Sequence, residues 1–324
     1  TSTAEAGQTV TVSLNGKDYT TTVSADGSWT LNVPAADLAG LTDGSVTVTA
    51  SVSDIAGNPA SVDHNLAVDI TAPAVTINTV AGDDVINLAE HGQAQIISGT
   101  ATGAAAGDKV TVTIGGQTYT TVLDAAGNWS VGVPASVISG LSDGTVTVTA
   151  SVTDAAGNTG TGSHNVTVDT GLPSVGFNTL SGDNVLNAVE KGLDLSVGGT
   201  SANLAEGTVV TVTLNGKQYT ATTAADGSWS LTVPAADLAG LGQANYTLSA
   251  TATNGVGNSV SNTANLLVDT ALPTVTINTV AGDNVINAAE VAAGQTLSGT
   301  VANAEAGNTV TITLGGNTYT ATVQ

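Results

Sequence analysis

The sequence repeats itself every 100 residues, and this internal repeat limits the possible folds more than any other feature. Tryptophan occurs at Trp29, Trp129 and Trp229, with no insertion or deletion between the copies. The segment ADGSWTLNVPAADLAGL, which begins at Ala25, returns at Ala225 with two changes in seventeen residues. Identity this high indicates duplication of one structural unit. The chain is therefore predicted to be a tandem array of similar domains.

An Asp-x-x-x-Pro segment that recurs at Asp69, Asp169 and Asp269 marks the natural boundaries between units. These boundaries predict a partial repeat at 1–69, complete repeats at 70–169 and 170–269, and a partial repeat at 270–324. The first copy lacks its opening strands and the last copy lacks its closing strands. The sequence contains no methionine, so we expect this chain to be part of a longer protein, with frayed terminal repeats when isolated.

Within a complete repeat, apolar and polar residues alternate with a period of two, which is typical of half-buried β-strands. In residues 70–169 the pattern predicts seven short strands, a helical turn near 135–144 and no long helix. The side chains expected to point inward are Val75, Ile77, Val110, Val112, Ile114, Trp129, Val131, Val133, Val146, Val148, Ala150 and Val152. We predict an all-β chain of tandem seven-stranded, immunoglobulin-like β-sandwiches, without the cysteine pair of antibody domains.

The charge balance excludes several classes of partner. The net charge is −22, from 26 acidic residues against four lysines and no arginine. Nucleic-acid binding requires a basic surface, and anionic membranes attract the same kind of surface. No apolar stretch is long enough to span a membrane. With no cysteine, neither disulfides nor thiolate metal sites are available. We therefore expect no nucleic-acid partner and no membrane insertion by this segment.

An acidic loop recurs as AGDDVINLAE, SGDNVLNAVE and AGDNVINAAE, which begin at Ala81, Ser181 and Ala281. In a sandwich this loop follows the first strand, so Asp83, Asp84, Asn87 and Glu90 should lie near the outgoing linker and Asp169. The turn that contains Asp154, with Asp124 as a further candidate, should lie near the incoming linker and Asp69.

Acidic side chains are thus expected to converge at each junction between repeats, where they would repel one another unless a cation neutralised them. A set of ligands made only of oxygen atoms suits Ca²⁺. The alternative is that Asp and Asn simply form turns, and for Asp26, Asp124 and Asp226 we favour this interpretation. Asn254, which replaces Asp154 in the next repeat, carries no charge and weakens the calcium hypothesis there.

No motif indicates catalysis. His64 and His164 occupy equivalent positions, but Ala264 replaces them in the third copy, and His91 is replaced by Lys191 and Val291. We interpret these histidines as surface residues. Acidic pairs could suggest glycoside hydrolysis, but the repeat offers no aromatic cleft to hold a sugar. We expect that the chain is not an enzyme.

Three long phrases resemble the Ig-like repeats of giant bacterial surface adhesins, the biofilm-associated proteins exported by type I secretion. They are DITAPAVTINTVAGDDVINLAE from Asp69, GKDYTTTVSADGSWTLNVPAADLAGL from Gly16 and DGTVTVTASVTDAAGN from Asp143. The resemblance covers essentially the whole chain. It implies a secreted protein on the bacterial surface, an extended rod of many tandem domains, and structural Ca²⁺ at the junctions. By position, the resemblance implies these calcium ligands: Asp69, Asp83, Asp84, Glu90, Asp154, Asp169, Asp183, Glu190, Asp269, Asp283 and Glu290.

Two functions are compatible with this pattern. The first is a spacer, stiffened by calcium, that holds an adhesive tip away from the cell and so serves adhesion and biofilm formation. The second is a directly adhesive module that binds a host glycan or identical repeats on a neighbouring cell. Near-identity between repeats favours the spacer, because repetition supplies length rather than a unique site.

Overall fold

The computed structural model describes residues 5–324. It separates into two compact units, one extending to Thr170 and the other spanning Gly171–Gln324. The first unit contains the first repeat and the complete repeat 70–169. The second contains the complete repeat 170–269 and the beginning of a further copy.

The first repeat forms one antiparallel sheet with the strand order β2-β1-β3-β4. Its core is small, a cluster of the buried residues Val10, Val12 and Val23. Trp29 is only partly buried, because the described residues of this repeat form no second sheet to cover it. The elements are β1 (Thr9–Leu14), β2 (Lys17–Thr22), α1 (Ala35–Leu38), β3 (Gly44–Ser53) and β4 (Pro59–Val68).

The repeat 70–169 is a two-sheet β-sandwich. Its elements are β5 (Ala74–Ile77), β6 (Val85–Asn87), α2 (Leu88–His91), β7 (Gln95–Thr102), β8 (Lys109–Ile114), β9 (Gln117–Val122), β10 (Asn128–Val133), α3 (Ala135–Ile138), β11 (Gly144–Thr153) and β12 (Thr159–Asp169). One sheet has the order β10-β7-β5 and the other the order β6-β12-β11-β8-β9. The all-β sandwich and the helical turn predicted from the sequence are confirmed.

The apolar positions of the period-two pattern form the core of this sandwich. On β8, Val110, Val112 and Ile114 are at most 1% exposed, while the intervening threonines are less buried. Trp129 is 3% exposed, and its indole nitrogen is buried without a hydrogen-bond partner within the described residues. The ring is therefore held by apolar packing alone. Val131 and Val146 are only partly buried and pack against the edge of the core.

The structure has eight strands in this repeat, one more than predicted. The additional strand, β6, lies within the acidic loop and pairs in parallel with β12, so that Val85 faces Thr167 and Asn87 faces Asp169. Three residues are too few to show a period-two pattern. The partner strand is also about eighty residues away in sequence, so only the tertiary fold creates this pairing. It buries Ile86 completely.

The repeat 170–269 has the same arrangement, with sheets β13-β15-β18 and β14-β20-β19-β16-β17. Its elements are β13 (Ser174–Phe177), β14 (Val185–Leu186), a 3-10 turn (Glu190–Gly192), β15 (Leu195–Ala202), β16 (Val209–Leu214), β17 (Lys217–Thr222), β18 (Ser228–Val233), α4 (Ala235–Leu238), β19 (Ala244–Thr253) and β20 (Ser259–Val268). Phe177 meets Trp229 edge to face, with ring centroids 5.5 Å apart. The last copy contains β21 (Thr274–Val275), α5 (Ala288–Ala293), β22 (Val301–Ala302), β23 (Thr309–Leu314) and β24 (Asn317–Thr322).

Candidate functional site

The incoming and outgoing linkers lie at opposite ends of the sandwich 70–169. Just before β12 begins, the Asn158 side chain donates a hydrogen bond to the Asp69 carbonyl oxygen, at 3.1 Å. At its other end β12 places Asp169 opposite Asn87 of the acidic loop. This is the placement expected from the sequence. An 11-residue strand at ~3.3 Å per residue carries the chain about 36 Å from one linker to the next.

Three carboxylates surround the linker that joins the first two repeats. Asp69 accepts hydrogen bonds from the Thr71 backbone and from Asn158, both at 3.4 Å. Asp154 accepts from Asn158 through both of its oxygens, at 2.8 and 3.1 Å. From the preceding repeat, Asp43 accepts from the Ile70 backbone at 2.7 Å and from the Thr71 hydroxyl. The first two repeats are therefore connected through a shared set of polar contacts to the linker.

These contacts change the acidity of two of the carboxyl groups. Hydrogen bonds from the Thr71 hydroxyl and the Ile70 backbone lower the pKa of Asp43 below its usual value. Burial raises the pKa of Asp154, but hydrogen bonds from Asn158 and the turn backbone outweigh it, and the net shift is downward. Both groups are thus stabilised as anions, the form in which a carboxylate binds a cation.

Each polar residue of the acidic loop also has a structural role that requires no metal. Asp84 has a left-handed backbone, with φ of 65°, and its side chain accepts from the Val80 nitrogen at 2.8 Å. Asp83 accepts from the Val85 nitrogen at 3.0 Å. Asn87 and Glu90 form a reciprocal capping box at the start of α2. The loop is built to satisfy its own backbone donors.

The same contacts recur in the later copies. Asn184 and Asn284 take the place of Asp84 and accept from Leu180 and Val280 at 2.9 and 3.0 Å. The predicted ligands in these copies accept hydrogen bonds from local backbone nitrogens: Asp183 from Val185, Glu190 from Asn187, Asp269 from Ala271, Asp283 from Val285 and Glu290 from Asn287. As expected for turn residues, Asp26, Asp124 and Asp226 close their own turns.

His91 and His164 are partly exposed, and each also contacts another element of the repeat. The imidazole Nε2 of His164 lies 2.7 Å from Asp84, and the side chains of this pair are 28% and 33% exposed. The Val80 nitrogen and then His164 lower the pKa of Asp84. His91 Nε2 lies 2.9 Å from the Leu141 carbonyl oxygen. Both histidines connect the acidic loop to other elements, a contact that the sequence could not show because each partner is at least fifty residues away.

The residues on either side of the boundary at 170/171 are each hydrogen-bonded within their own unit. In the first unit, Asp143 accepts from the Thr170 backbone and hydroxyl at 2.9 and 2.8 Å, and these bonds lower the Asp143 pKa. In the second unit, the side chains of Asn254 and Asn258 donate to the Gly171 carbonyl oxygen at 3.3 and 3.2 Å.

Asp43, Asp143 and Asn158 were not among the site residues predicted from the sequence. Asp43 and Asp143 each precede the glycine that begins a 10-residue strand, β3 and β11 respectively. Their recurrence 100 residues apart, with Gln243 in the third copy, was the available signal.

The candidate calcium ligands are of the right chemical type but do not form a compact metal centre. Across residues 5–324, no group of three or more His, Asp or Glu side chains is close enough to hold a metal ion. The oxygen-only set around Asp69 fits the preference of Ca²⁺, and a hydrogen-bonded carboxylate retains other lone pairs for coordination. Calcium binding at all of the predicted positions, including those around Asp69, stays a prediction. None of the helices found in residues 5–324 is long and apolar enough to cross a membrane.

Comparison with known proteins gives the chain a family. The model of the bacterial Ig-like domain matches residues 1–71, 71–170 and 182–270. A search of curated proteins found no significant match.

Three solved structures of adhesins are similar in sequence. A Ca²⁺-stabilized adhesin that helps an Antarctic bacterium bind ice is 39% identical, over 98% of this chain and 79% of its own, with a TM-score of 0.46. A 1.5-MDa bacterial ice-binding adhesin is 33% identical, over 82% and 87%, with a TM-score of 0.47. A tetra-tandem repeat from the extending region of a large adhesion protein is 30% identical, over 99% and 81%, with a TM-score of 0.32.

The domain match covers three consecutive copies and well over half of the residues. The chain therefore belongs to the bacterial Ig-like domain family.

Proposed function

We propose that this chain is a spacer segment of a large bacterial surface adhesin, and that it holds an adhesive region away from the cell. The observation that carries this proposal is the placement of the two linkers at opposite ends of a complete repeat. Because β12 begins beside Asp69 and ends at Asp169, every added repeat adds about one strand length to the reach of the chain. Repetition then serves length rather than a unique binding site.

The sequence similarities support the same role. One relative is an extending region of a large adhesion protein, and another is an adhesin stabilised by Ca²⁺. We extend both properties to this chain as part of the proposal, together with a location on the bacterial surface, a role in biofilm formation and the absence of enzymatic activity. A directly adhesive module that binds a host glycan or identical repeats remains the alternative.

We further propose that Ca²⁺ stiffens the junctions between repeats. At the first junction the side chains of Asp43, Asp69 and Asp154, which do not form a compact metal centre in this structure, would have to move closer together to hold the ion, which would neutralise carboxylates contributed by two repeats and their linker. Affinities of extracellular calcium modules are weak, on the order of 10⁻⁴ to 10⁻³ M. Such affinity is sufficient outside a cell, where millimolar calcium is common.

The spacer role is tested by deleting one complete repeat, 170–269, from the parent adhesin. The expected result is a cell-to-surface distance shortened by about one repeat, or roughly 36 Å, with adhesive strength unchanged. Loss of adhesion at unchanged expression would contradict the spacer role and favour the adhesive alternative.

The calcium role is tested by calorimetric titration and small-angle scattering of the whole chain, with Ca²⁺ and with a chelator. We expect the maximum dimension to increase with Ca²⁺. Asp69→Asn and Asp154→Asn should weaken both responses. Asp124→Asn is the matched control, since that carboxylate closes only its own turn. Equal responses in all three variants would overturn the assignment of the ion to the linker.

A further inference from the structure

The turn at the start of the long final strand differs chemically in the repeat 170–269. The first two copies carry Asp54-Ile55 and Asp154-Ala155, whereas the third carries Asn254-Gly255. The turn itself is the same in all three copies. In each one the backbone nitrogen at this Asp or Asn donates to the carbonyl oxygen four residues later, at 2.9 to 3.1 Å. Only the reactivity of the side chain differs.

The Asn254 side chain is held inside its own turn by backbone donors. Its Oδ1 accepts hydrogen bonds from the backbone nitrogens of Val256, at 3.2 Å, and Asn258, at 2.9 Å. This Asx turn folds the side-chain amide back toward the Gly255 nitrogen. Two N–H donors aimed at Oδ1 would also stabilise negative charge that develops on that oxygen, as donors do in an oxyanion hole.

Gly255 is suited to be the attacking residue. It is exposed, and within residues 5–324 its backbone nitrogen makes no hydrogen bond. No heavy atom lies within 4 Å of the place where a Cβ would be, so solvent reaches the peptide. Because glycine carries no side chain, the peptide group can also rotate toward the amide at low steric cost.

We propose that Asn254 is a site of spontaneous deamidation. The deprotonated Gly255 nitrogen attacks Cγ of Asn254 and forms the new C–N bond of a succinimide ring. The Cγ–Nδ2 bond then breaks, and the nitrogen leaves as ammonia with protons from solvent. Water opens the ring at one of its two carbonyls, which yields Asp or isoAsp. Only water is consumed, and nothing is oxidised or reduced.

The aspartate product fits the turn already seen in the preceding repeat. Asp154 accepts hydrogen bonds from Ala156 and Asn158 nitrogens at 3.0 and 2.8 Å, the same positions that donate to Asn254. After the Asn254 amide is lost, the Gly171 carbonyl oxygen would still accept a hydrogen bond from the Asn258 side chain. Deamidation would therefore restore the carboxylate of the other copies and add one negative charge beside the linker 169–173.

Two other Asn-Gly pairs in the chain provide internal comparisons. Asn15 and Asn215 precede Gly16 and Gly216 in tight hairpin turns, with φ of 52° and 49°. Within the described part of the chain, neither Oδ1 accepts a hydrogen bond. They lack the polarising donors found at Asn254, so we expect them to react more slowly.

The experiment is incubation of the folded 324-residue chain in mildly alkaline buffer, followed by peptide mapping with mass spectrometry and an isoaspartate assay. The expected result is that Asp and isoAsp accumulate at position 254 several-fold faster than at positions 15 and 215. Gly255→Ala should suppress the reaction at 254 alone. The turn tolerates alanine, since Ala155 occupies the equivalent position.

Faster reaction at Asn15 or Asn215 than at Asn254 would overturn the proposal, as would a rate at 254 that Gly255→Ala leaves unchanged. Circular dichroism of Gly255→Ala confirms that the variant is folded. The mapping uses no calcium, so its outcome is independent of the calcium hypothesis. If the junctions bind Ca²⁺ as proposed, Asn254→Asp should tighten calcium binding, and a failure of that result alone would leave deamidation intact.

Discussion

The repeats 70–169 and 170–269 share their strand order but differ in charge. Several hydrogen bonds that aspartate side chains accept in the first repeat are accepted by asparagine side chains in the second. Asp84 and Asn184 accept the same backbone hydrogen bond, at 2.8 and 2.9 Å. Asp154 and Asn254 accept the same bond from the nitrogen four residues later. The fold thus requires an oxygen acceptor at these positions rather than a charge, which leaves the carboxylates of the repeat 70–169 free for a second role such as cation binding.

The two sandwiches also differ in how closely the first strand approaches the last. A Cβ on Gly160 would lie 1.7 Å from the Pro73 carbonyl oxygen, so β5 packs directly on the backbone of β12. The second sandwich has Val260 at this position, and nearby Asn262 donates to the Val175 carbonyl oxygen at 2.9 Å. There the strands are joined by a side chain. The first and last strands of a repeat can thus be held together either by close backbone packing at a glycine or by a hydrogen bond from a polar side chain.

The largest expected effect concerns the buried tryptophans. Trp129→Ala and Trp229→Ala should each lower the free energy of unfolding of their own repeat by about 3–5 kcal/mol, because a large buried ring is replaced by a cavity. The loss should be greater for Trp229, by about 0.5–1.5 kcal/mol, since Phe177 packs against it edge to face.

Calorimetry of the whole chain, with hydrogen exchange to assign the melting repeat, measures these losses. Trp29→Ala is the control and should cost less, because Trp29 is only partly buried. Equal losses at all three tryptophans would mean that the second sheet adds nothing to their packing.

A second pair of substitutions gives each repeat the residue that the other has where its first and last strands meet. Gly160→Val should destabilise the sandwich 70–169 by about 1–3 kcal/mol, since the new side chain has no room beside Pro73. The reverse change, Val260→Gly, should cost less than about 1 kcal/mol through lost strand propensity. Chemical denaturation of each variant tests the asymmetry. Similar losses from both changes would show that β5 can move as easily as β13.

Acid should increase the difference in stability between the two sandwiches. Four carboxyl groups of the repeat 70–169 have a lowered pKa, those of Asp84, Asp124, Asp143 and Asp154, mainly through hydrogen bonds to their anionic forms. In the repeat 170–269 the two such groups are Asp226 and Asp237. A lowered folded-state pKa adds stability above the unfolded value of 3.8, and this stability is lost as the pH falls through the folded value.

The repeat 70–169 should therefore lose more of its stability than its neighbour as the pH falls below about 4. Hydrogen exchange, resolved by repeat and recorded from neutral to acidic pH, measures the difference. Earlier acid unfolding of 170–269 would contradict this assignment of the shifts.

The smallest expected effect concerns the pair formed by His164 and Asp84. Since both side chains are about one-third exposed, the coupling energy in a double-mutant cycle should be about 0.2–1 kcal/mol. The cycle uses His164→Ala and Asp84→Asn, which introduce the residues found in the next repeat. Asp84→Asn alone keeps the bond from Val80 and serves as the structural control. A coupling energy of zero would mean that the contact between His164 and Asp84 adds nothing to the stability of the repeat.

The sequence alone determined the repeat, its length, the sandwich class and most of the core, because alternation along a strand and recurrence along the chain are local or periodic signals. The alternation of apolar and polar residues around Val110, Val112 and Trp129 was enough to predict that these side chains point into the core. The same reasoning identified the acidic loop and the end of the sandwich at which it lies.

Only the tertiary structure decided what the polar residues of that loop contact. The pairing of β6 with β12, the contact of His164 with Asp84 and the bonds from Asp43 to Ile70 and Thr71 each join residues 27 or more positions apart. Sequence patterns show which residues can accept or donate a hydrogen bond. Which partner satisfies them depends on how distant strands are brought together, because a buried backbone donor must be paired with whatever acceptor the folded chain places beside it.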